Sequence, residues 1–294
     1  MPGLKEVRIR IASVNTTKQV TSAMKMVSAA KLRRAQTAIL KLRPYANKLN
    51  ELIVNLSSSA DVSDEVVYFN KRIEKKVLLV VVSSNRGLCG AFNSNIMKAA
   101  VAHVNENLSG HYQGGTLDII TIGRKATEFF SKRKYNVVEN LDSIYERLSY
   151  ESAGAIAEKL MDLFAKGTYD RIDLVYNQFK NAVTQILKVE PFLPIRKPET
   201  AENKAKTNID YIFEPSQEEI LTDLVPRSLK IQIYKAILDS WASEQGARMS
   251  AMQKASDNAD ELIKSLKLSY NKARQASITR EIIEIVSGVN ALKG

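Results

Sequence analysis

The chain has 294 residues, of which 45% are hydrophobic and 26% are charged. This composition is that of a globular protein, because it is too apolar for a disordered segment and too charged for a bundle of membrane-spanning helices. The net charge of +11 indicates an acidic partner.

The first 57 residues are predicted to form one long helix. From Leu4 to Leu56 there is no glycine and a single proline, Pro44, which is expected to kink the helix locally. Apolar residues recur every three or four positions, as the seam of a coiled coil requires. The seam is predicted in three parts, the middle one shifted in phase: Leu4, Val7, Ile11 and Val14; Val20, Ala23, Val27 and Ala30; Ala35, Ala38, Leu42, Tyr45, Leu49, Leu52 and Leu56.

Residues 76–215 are predicted to form an inserted Rossmann-like α/β domain, preceded by a linker at 58–75. Short apolar runs alternate with helical patterns, which indicates a mainly parallel sheet covered by helices. The last two strands are close in sequence and are expected to form an antiparallel hairpin at an edge. The predicted strands are Lys76–Ser83, Leu117–Ile122, Ile172–Phe179 and Thr184–Glu190, and the predicted helices are Phe92–Asn107, Arg124–Lys132 and Tyr150–Ala165.

Residues 216–294 return to a helical pattern and are predicted to wind around the first helix as an antiparallel coiled coil. Pro226 and Gly246 are the expected weak points of this helix. Its predicted seam consists of Ile231, Tyr234, Leu238, Trp241, Met252, Ala255, Ala259, Leu262, Leu266, Ala273 and Ala276, with Gln245, Arg248 and Arg280 in the same register.

The two terminal helices differ in length, at about 53 and about 76 residues. If both are level where they join the inserted domain, antiparallel pairing puts Met1 near residue 271 and leaves about twenty residues without a partner helix. These unpartnered residues carry an apolar face, which is expected to be enclosed by another protein; folding back on the inserted domain is the alternative. Its residues are Ile278, Ile282, Ile285, Val289 and Leu292 within a narrow arc, widened by Ile283 and Val286.

Most of the positive charge lies in the first helix. Residues 4–57 hold eleven basic and two acidic side chains, whereas residues 216–294 hold eleven basic and ten acidic ones. A solvated face, acidic loops of a protein partner and nucleic acid each account for this asymmetry. A basic coiled coil that binds nucleic acid is therefore an alternative function.

No motif in the sequence predicts catalysis, a metal site or a cofactor. The chain lacks the phosphate-binding spacing G-x-x-x-x-G-K-[ST] and the nucleophile elbow G-x-S-x-G. Arg86–Gly90 is interpreted as a tight strand-to-helix turn rather than an anion site. Cys89 is expected to be buried, and His103 and His111 are expected at the surface; the three together cannot supply four zinc ligands.

Five segments carry a resemblance to a known family. They are Ile11–Gln19 (IASVNTTKQ), Ala23–Lys31 (AMKMVSAAK), Ser83–Gly90 (SSNRGLCG), Ser243–Met252 (SEQGARMSAM) and Asn271–Ile282 (NKARQASITREI). Together they resemble the gamma subunits of F-type ATP synthases, and the resemblance covers essentially the whole chain.

The resemblance implies a non-catalytic rotor stalk whose coiled coil lies inside a ring of three alpha and three beta subunits. This stalk couples rotation of the membrane c-ring to conformational change at the catalytic sites of the beta subunits, and its lower end binds the epsilon subunit. The absence of a presequence favours a peripheral protein at the cytoplasmic face of a bacterial plasma membrane, and a processed organelle protein is the alternative.

The resemblance also implies roles for three groups of residues. Contacts to loops of the beta subunits fall on Met24, Lys25, Arg274, Gln275, Thr279 and Glu281. The tip that turns in an apical bearing of the ring corresponds to Ile278, Ile282, Ile285, Val286, Val289 and Leu292. The foot on the c-ring and the epsilon subunit corresponds to Tyr211 and Glu214.

Overall fold

The computed structural model describes residues 4–57, 67–70, 72–182, 184–195 and 217–293. The chain divides into two compact units, Met1–Ala29 with Arg248–Gly294, and Ala30–Ala247. The two terminal helices, α1 Leu4–Ser57 and α6 Gln217–Lys293, each contribute residues to both units. The domain boundaries expected from composition remain predictions, because they separate helix from sheet, whereas the compact units group segments by contact.

The larger unit is built around a five-stranded sheet with the strand order β3-β2-β1-β4-β5. Strands β1 to β4 pair in parallel, and β5 pairs antiparallel with β4 at the edge, which confirms the predicted hairpin. All six residues of β1 are valine or leucine and are buried, as expected of a strand covered on both faces. The strands are β1 Val77–Val82, β2 Leu117–Ile122, β3 Asn136–Asn140, β4 Arg171–Phe179 and β5 Gln185–Leu193.

Helices cover both faces of this sheet and form two apolar cores. Helices α2 Phe92–Asn107 and α4 Arg124–Lys132 pack on the face that carries alternate residues of β1 beginning at Val77. Helix α5 Tyr150–Ala165 and the first part of α6 pack on the other face, together with Leu49 and Ile53 of α1. The bounds of α2, α4 and α5 confirm the predicted ones, because their apolar periodicity ends at clear turn residues.

Several short elements are absent from the sequence prediction. They are α3 Ser109–Gln113, strand β3, and two 3-10 turns at Val67–Phe69 and Asp142–Tyr145. Strand β3 lies at the sheet edge and buries none of its five residues fully, so its apolar signal is weak. Both long helices continue through their prolines, Pro44 and Pro226, without a break in the helix.

The smaller unit contains an antiparallel pair formed by the ends of α1 and α6. Lys18 pairs with Asp260 at 2.6 Å, and the Thr21 hydroxyl lies 2.7 Å from that of Ser256, so the partner number falls as the α1 number rises. The predicted register was wrong by about six residues, since it would place Lys18 opposite residue 254.

Candidate functional site

The end of α6 is helical to Lys293 and carries an exposed apolar stripe. The exposed fractions of its isoleucine and valine side chains lie between 44% and 66%. At 100° per residue, positions 278, 282, 285 and 289 fall within an arc of about 60°. Together with position 286 they make one exposed apolar face of the helix. The described members are Ile278, Ile282, Ile285, Val286 and Val289, whereas the side chain of Leu292 lies outside the described set.

The polar residues implied to contact beta-subunit loops lie on the segment just before and within this stripe. Arg274, Gln275, Thr279 and Glu281 are all exposed. The Thr279 hydroxyl donates to the Gln275 carbonyl at 3.0 Å, and Ser277 donates to a Glu281 carboxylate oxygen at 3.2 Å. These bonds are local to one helix, so the four side chains remain available to a partner.

Met24 and Lys25 do not lie beside those four residues. They are half-buried in α1, and the pairing of Thr21 with Ser256 puts them opposite about residue 253 of α6. Arg274 is some twenty residues farther along α6, which corresponds to roughly 30 Å of helix. The implied beta-subunit contacts therefore form two separate groups along the smaller unit.

The seam of α1 differs from the predicted three-part seam. Val20 and Val27 of the predicted middle part are more than half exposed, and Ala23 and Ala30 are exposed as well. The buried positions of this stretch are Thr21 and Ser28, which continue the spacing of Val7 without a shift in phase. The middle phase was therefore wrong, because a small hydroxyl side chain that finds a partner is accepted in the seam. An unbroken seven-residue repeat from Val7 through Thr21 and Ser28 to Ala35 is the signal that was missed.

The seam of α6 needs the same correction. Leu262 is 43% exposed and Ala276 is exposed, although both were predicted members. Ser256 is buried in their place, with the Thr21 hydroxyl as its partner. Ile263 and Tyr270 continue its seven-residue spacing and are half-buried.

Some basic side chains of α1 have partners within the protein, and others are exposed. Lys18 pairs with Asp260 and Lys48 with Glu51, while Arg43 donates to the Phe179 carbonyl at 3.2 Å. Arg33 and Arg34 are exposed, as is most of the remaining basic set. This exposed charge is the electrostatic surface that an acidic partner would meet.

The residues first considered for chemistry, Cys89, His103 and His111, all lie in the larger unit. Cys89 is buried, as expected, within the turn that precedes α2. His103 was predicted at the surface, and this was wrong: its side chain is 11% exposed, and its Nε2 lies 2.8 Å from the Asp173 carboxylate. His111 is half-buried and lies 2.9 Å from the Thr116 hydroxyl.

The described part of the chain contains no group of three or more His, Cys, Asp or Glu residues able to hold a metal ion. None of its helices is long and apolar enough to cross a membrane. The implied foot residues, Tyr211 and Glu214, lie outside the described residues.

Comparison with known proteins places these features in a family context. The family model described as ATP synthase matches residues 3–292. The ATP synthase gamma chain of Cytophaga hutchinsonii is 52% identical over 293 residues and covers 99% of both chains. That of Christiangramia forsetii is 54% identical over 294 residues and covers all of both chains.

Solved structures with the same fold come from mitochondrial ATP synthases. A chain of the Euglena gracilis OSCP/F1/c-ring structure has a TM-score of 0.71 at 22% identity, covering 98% of this chain and 94% of that one. A chain of the Tetrahymena thermophila central stalk/c-ring structure has a TM-score of 0.58 at 24% identity, covering 81% and 99%. At these identities the structural likeness establishes the fold.

Proposed function

The chain belongs to the gamma-chain family of ATP synthase, and from this premise we propose how its helices work as the central rotor shaft. The shaft is a non-catalytic subunit that couples rotation of the c-ring to conformational change at the catalytic sites of the beta subunits. The exposed apolar stripe of α6 carries the proposal, because a helix tip with this surface needs an enclosing partner. Membership of this family does not favour the nucleic-acid-binding alternative.

The partners of the shaft are a ring of three alpha and three beta subunits at one end, and the epsilon subunit and c-ring at the other. Tyr211 and Glu214 form the proposed foot on the c-ring and epsilon subunit. The complex sits peripherally at the cytoplasmic face of a bacterial plasma membrane. The bacterial relatives support the bacterial origin, and the printed names of the related structures, which include a rotor and a c-ring, support the partners.

Loops of the beta subunits contact two levels of the smaller unit. One level is contacted at Met24 and Lys25. The other is contacted at Arg274, Gln275, Thr279 and Glu281. A contact that is equal in every state of a beta subunit shifts no equilibrium, so the shaft must present different side chains to the three copies. The exposed lysine and arginine side chains of α1 attract the acidic loops.

The energy that the shaft transmits comes from ion movement across the membrane. One charge crossing the membrane supplies about 2.3 kcal/mol per 100 mV. The shaft must transmit the energy of several crossings for each ATP. A poorly held tip is therefore expected to impair the coupling between rotation and ATP synthesis before it impairs ATP hydrolysis.

The bearing is tested by a charge placed on the stripe. Ile282→Asp and Val286→Asp each put a carboxylate on the apolar face, where enclosure would desolvate it. In the reconstituted complex we expect impaired assembly, or ATP-driven proton pumping reduced more than ATP hydrolysis. Normal ATP synthesis by both variants would contradict the bearing.

The matched control is Ser287→Asp. Position 287 is next to 286 in sequence, but it lies about 160° from the centre of the stripe. The same carboxylate there is expected to leave pumping and assembly close to wild type. Equal loss in all three variants would mean that any charge near the tip is harmful, and the apolar face would have no special role.

A further inference from the structure

Buried polar atoms without a partner are concentrated at one place in the larger unit. Among the described residues they are Asn177 Nδ2, both carboxylate oxygens of Asp239 and Ser240 Oγ. Asn177 lies near the end of β4, and Asp239 and Ser240 lie in α6. Asp239 is fully buried. A buried carboxylate whose oxygens have no well-formed hydrogen bond is costly, so it needs an explanation.

The charged groups around Asp239 come from three elements, α1, α6 and β5. From α1, Arg43 exerts an attraction while its Nη2 donates to the Phe179 carbonyl of β4 at 3.2 Å. Lys235 lies one turn earlier in α6 and attracts it as well, and the Phe179 backbone N–H favours the charged form to a smaller degree. Glu190 of β5 repels it.

The neighbouring pair, Tyr176 and Glu190, keeps its own hydrogen bond. The Tyr176 hydroxyl donates to a Glu190 carboxylate oxygen at 3.0 Å. Burial, and then Glu190, raise the pKa of Tyr176, so its hydroxyl stays a donor.

We propose that Asp239 is a proton-binding site whose ionisation controls how firmly Arg43 of α1 and the β4–β5 hairpin are held against α6. When Asp239 is ionised, its charge attracts Arg43, which bridges α1 to the Phe179 carbonyl. When Asp239 is protonated, that attraction is lost and the desolvation cost of a buried charge is removed. The site concerns the larger unit alone and does not depend on the rotor function.

The titration range follows from the surroundings. Burial raises the pKa of Asp239 to about 6, against the opposing attraction of Arg43 and Lys235. Because the folded pKa is above the unfolded one, the associated stability is fully present below about pH 4 and is lost as pH rises through about 6. The pKa difference of about two units corresponds to roughly a hundredfold change in the folding equilibrium constant.

The first test is urea unfolding of the full-length chain from pH 4 to pH 8. We expect Asp239→Asn to match the wild type near pH 4 and to favour the folded state by up to roughly a hundredfold at pH 8. The matched control is Asp223→Asn, which removes an exposed acid of the same helix, paired with Arg227 at 2.9 Å. This control should follow the wild-type pH profile. Parallel profiles for the wild type and Asp239→Asn would overturn the proposal.

A second test keeps Asp239 and changes its partner. Removing a nearby cation raises the pKa of a carboxyl group, so Arg43→Gln should move the proton-binding midpoint upward. The midpoint is followed through the infrared carbonyl band of the protonated carboxyl during a pH titration. A midpoint that does not move, or no such band between pH 5 and pH 7, would overturn the proposal even if Asp239→Asn failed to fold.

The link to α1 has its own readout. The destabilisation caused by Arg43→Gln should be larger at pH 8 than at pH 5 in chains that keep Asp239. In the Asp239→Asn background it should be the same at both pH values, because the charge that Arg43 responds to is gone. If Arg43→Gln destabilises chains that keep Asp239 equally at both pH values, the ionisation of Asp239 does not control how firmly α1 is held. That result would overturn the proposed link to α1.

Discussion

Gly123 joins β2 to α4 in a conformation that only glycine tolerates. Its φ is +114°, and a Cβ atom there would lie 2.3 Å from the Ser83 carbonyl oxygen. Ser83 in turn accepts a hydrogen bond from the Ala126 N–H at 3.0 Å and donates to the Gly123 carbonyl at 3.1 Å. Gly123 thus allows Ser83, at the end of β1, to approach the end of β2 closely and to hydrogen-bond at the start of α4.

We expect Gly123→Ala to lower the free energy of unfolding by about 2 kcal/mol or more, because backbone strain and a steric clash act together. Urea denaturation of the full-length chain measures this. The control is Gly110→Ala in α3, where a Cβ atom meets nothing within 4 Å. Its stability should be unchanged or slightly higher, and a similar loss in both variants would contradict the argument.

Gly246 shows the same effect inside a helix. A Cβ atom there would lie 3.1 Å from the Ala182 carbonyl oxygen, in the loop that joins β4 to β5. The residue that the sequence marks as a weak point of α6 is therefore a place of close approach. The glycine is visible in the sequence but its neighbour is not, because Ala182 lies 64 positions earlier in the chain.

At the scale of single elements, the seam of α1 is decided by hydroxyl groups as much as by aliphatic side chains. Thr21 is buried with its hydroxyl 2.7 Å from Ser256, whereas the adjacent Val20 is 53% exposed. A pattern based on hydrophobicity prefers Val20. The two registers therefore make opposite predictions for the same substitution.

We expect Thr21→Glu to lower the free energy of unfolding of the helix pair by about 2 kcal/mol or more, because it buries an unpaired carboxylate. Val20→Glu should change it by less than about 0.5 kcal/mol, since glutamate is a good helix former at an exposed site. Urea unfolding followed by the helical circular dichroism signal compares the two. A larger loss for Val20→Glu than for Thr21→Glu would contradict the observed seam and favour the predicted one, in which Val20 is buried.

At the scale of the whole molecule, stability in acid depends on carboxylates that the fold buries. Asp118 accepts hydrogen bonds from Tyr169 at 2.7 Å and Asn136 at 2.6 Å, and pairs with Lys76 at 2.7 Å. Burial alone would raise its pKa, but these partners outweigh burial and lower the pKa of Asp118. The pKa of Asp173 is lowered in the same way: hydrogen bonds from His103 and Arg171 outweigh its burial.

A lowered folded pKa means that the stability from these acids is present above about pH 4 and is lost as pH falls further. We expect Asp118→Asn to cost about 1–3 kcal/mol at pH 7, where a hydrogen-bonded charge is lost. The difference from wild type should shrink steadily below pH 4, as measured by urea unfolding. The control Asp142→Asn, at a partly exposed acid paired with Arg124, should show a smaller pH-dependent difference. A constant difference down to pH 2 would contradict this reasoning.

The sequence by itself determined the long terminal helices, the bounds of α2, α4 and α5, the edge hairpin and the apolar stripe at the end of α6. It also carried the motifs of the gamma-chain family. These features depend on local periodicity and on turn residues, which are visible within a window of about ten to twenty residues.

Tertiary structure alone decided which polar residues are buried and with whom. Thr21 meets Ser256, 235 positions away, and His103 meets Asp173, 70 positions away. The sequence also did not reveal that Asp239 is buried without a hydrogen-bond partner. The physical reason is that an apolar side chain gains free energy from almost any dry surface, whereas a polar one is stable inside only beside a particular partner.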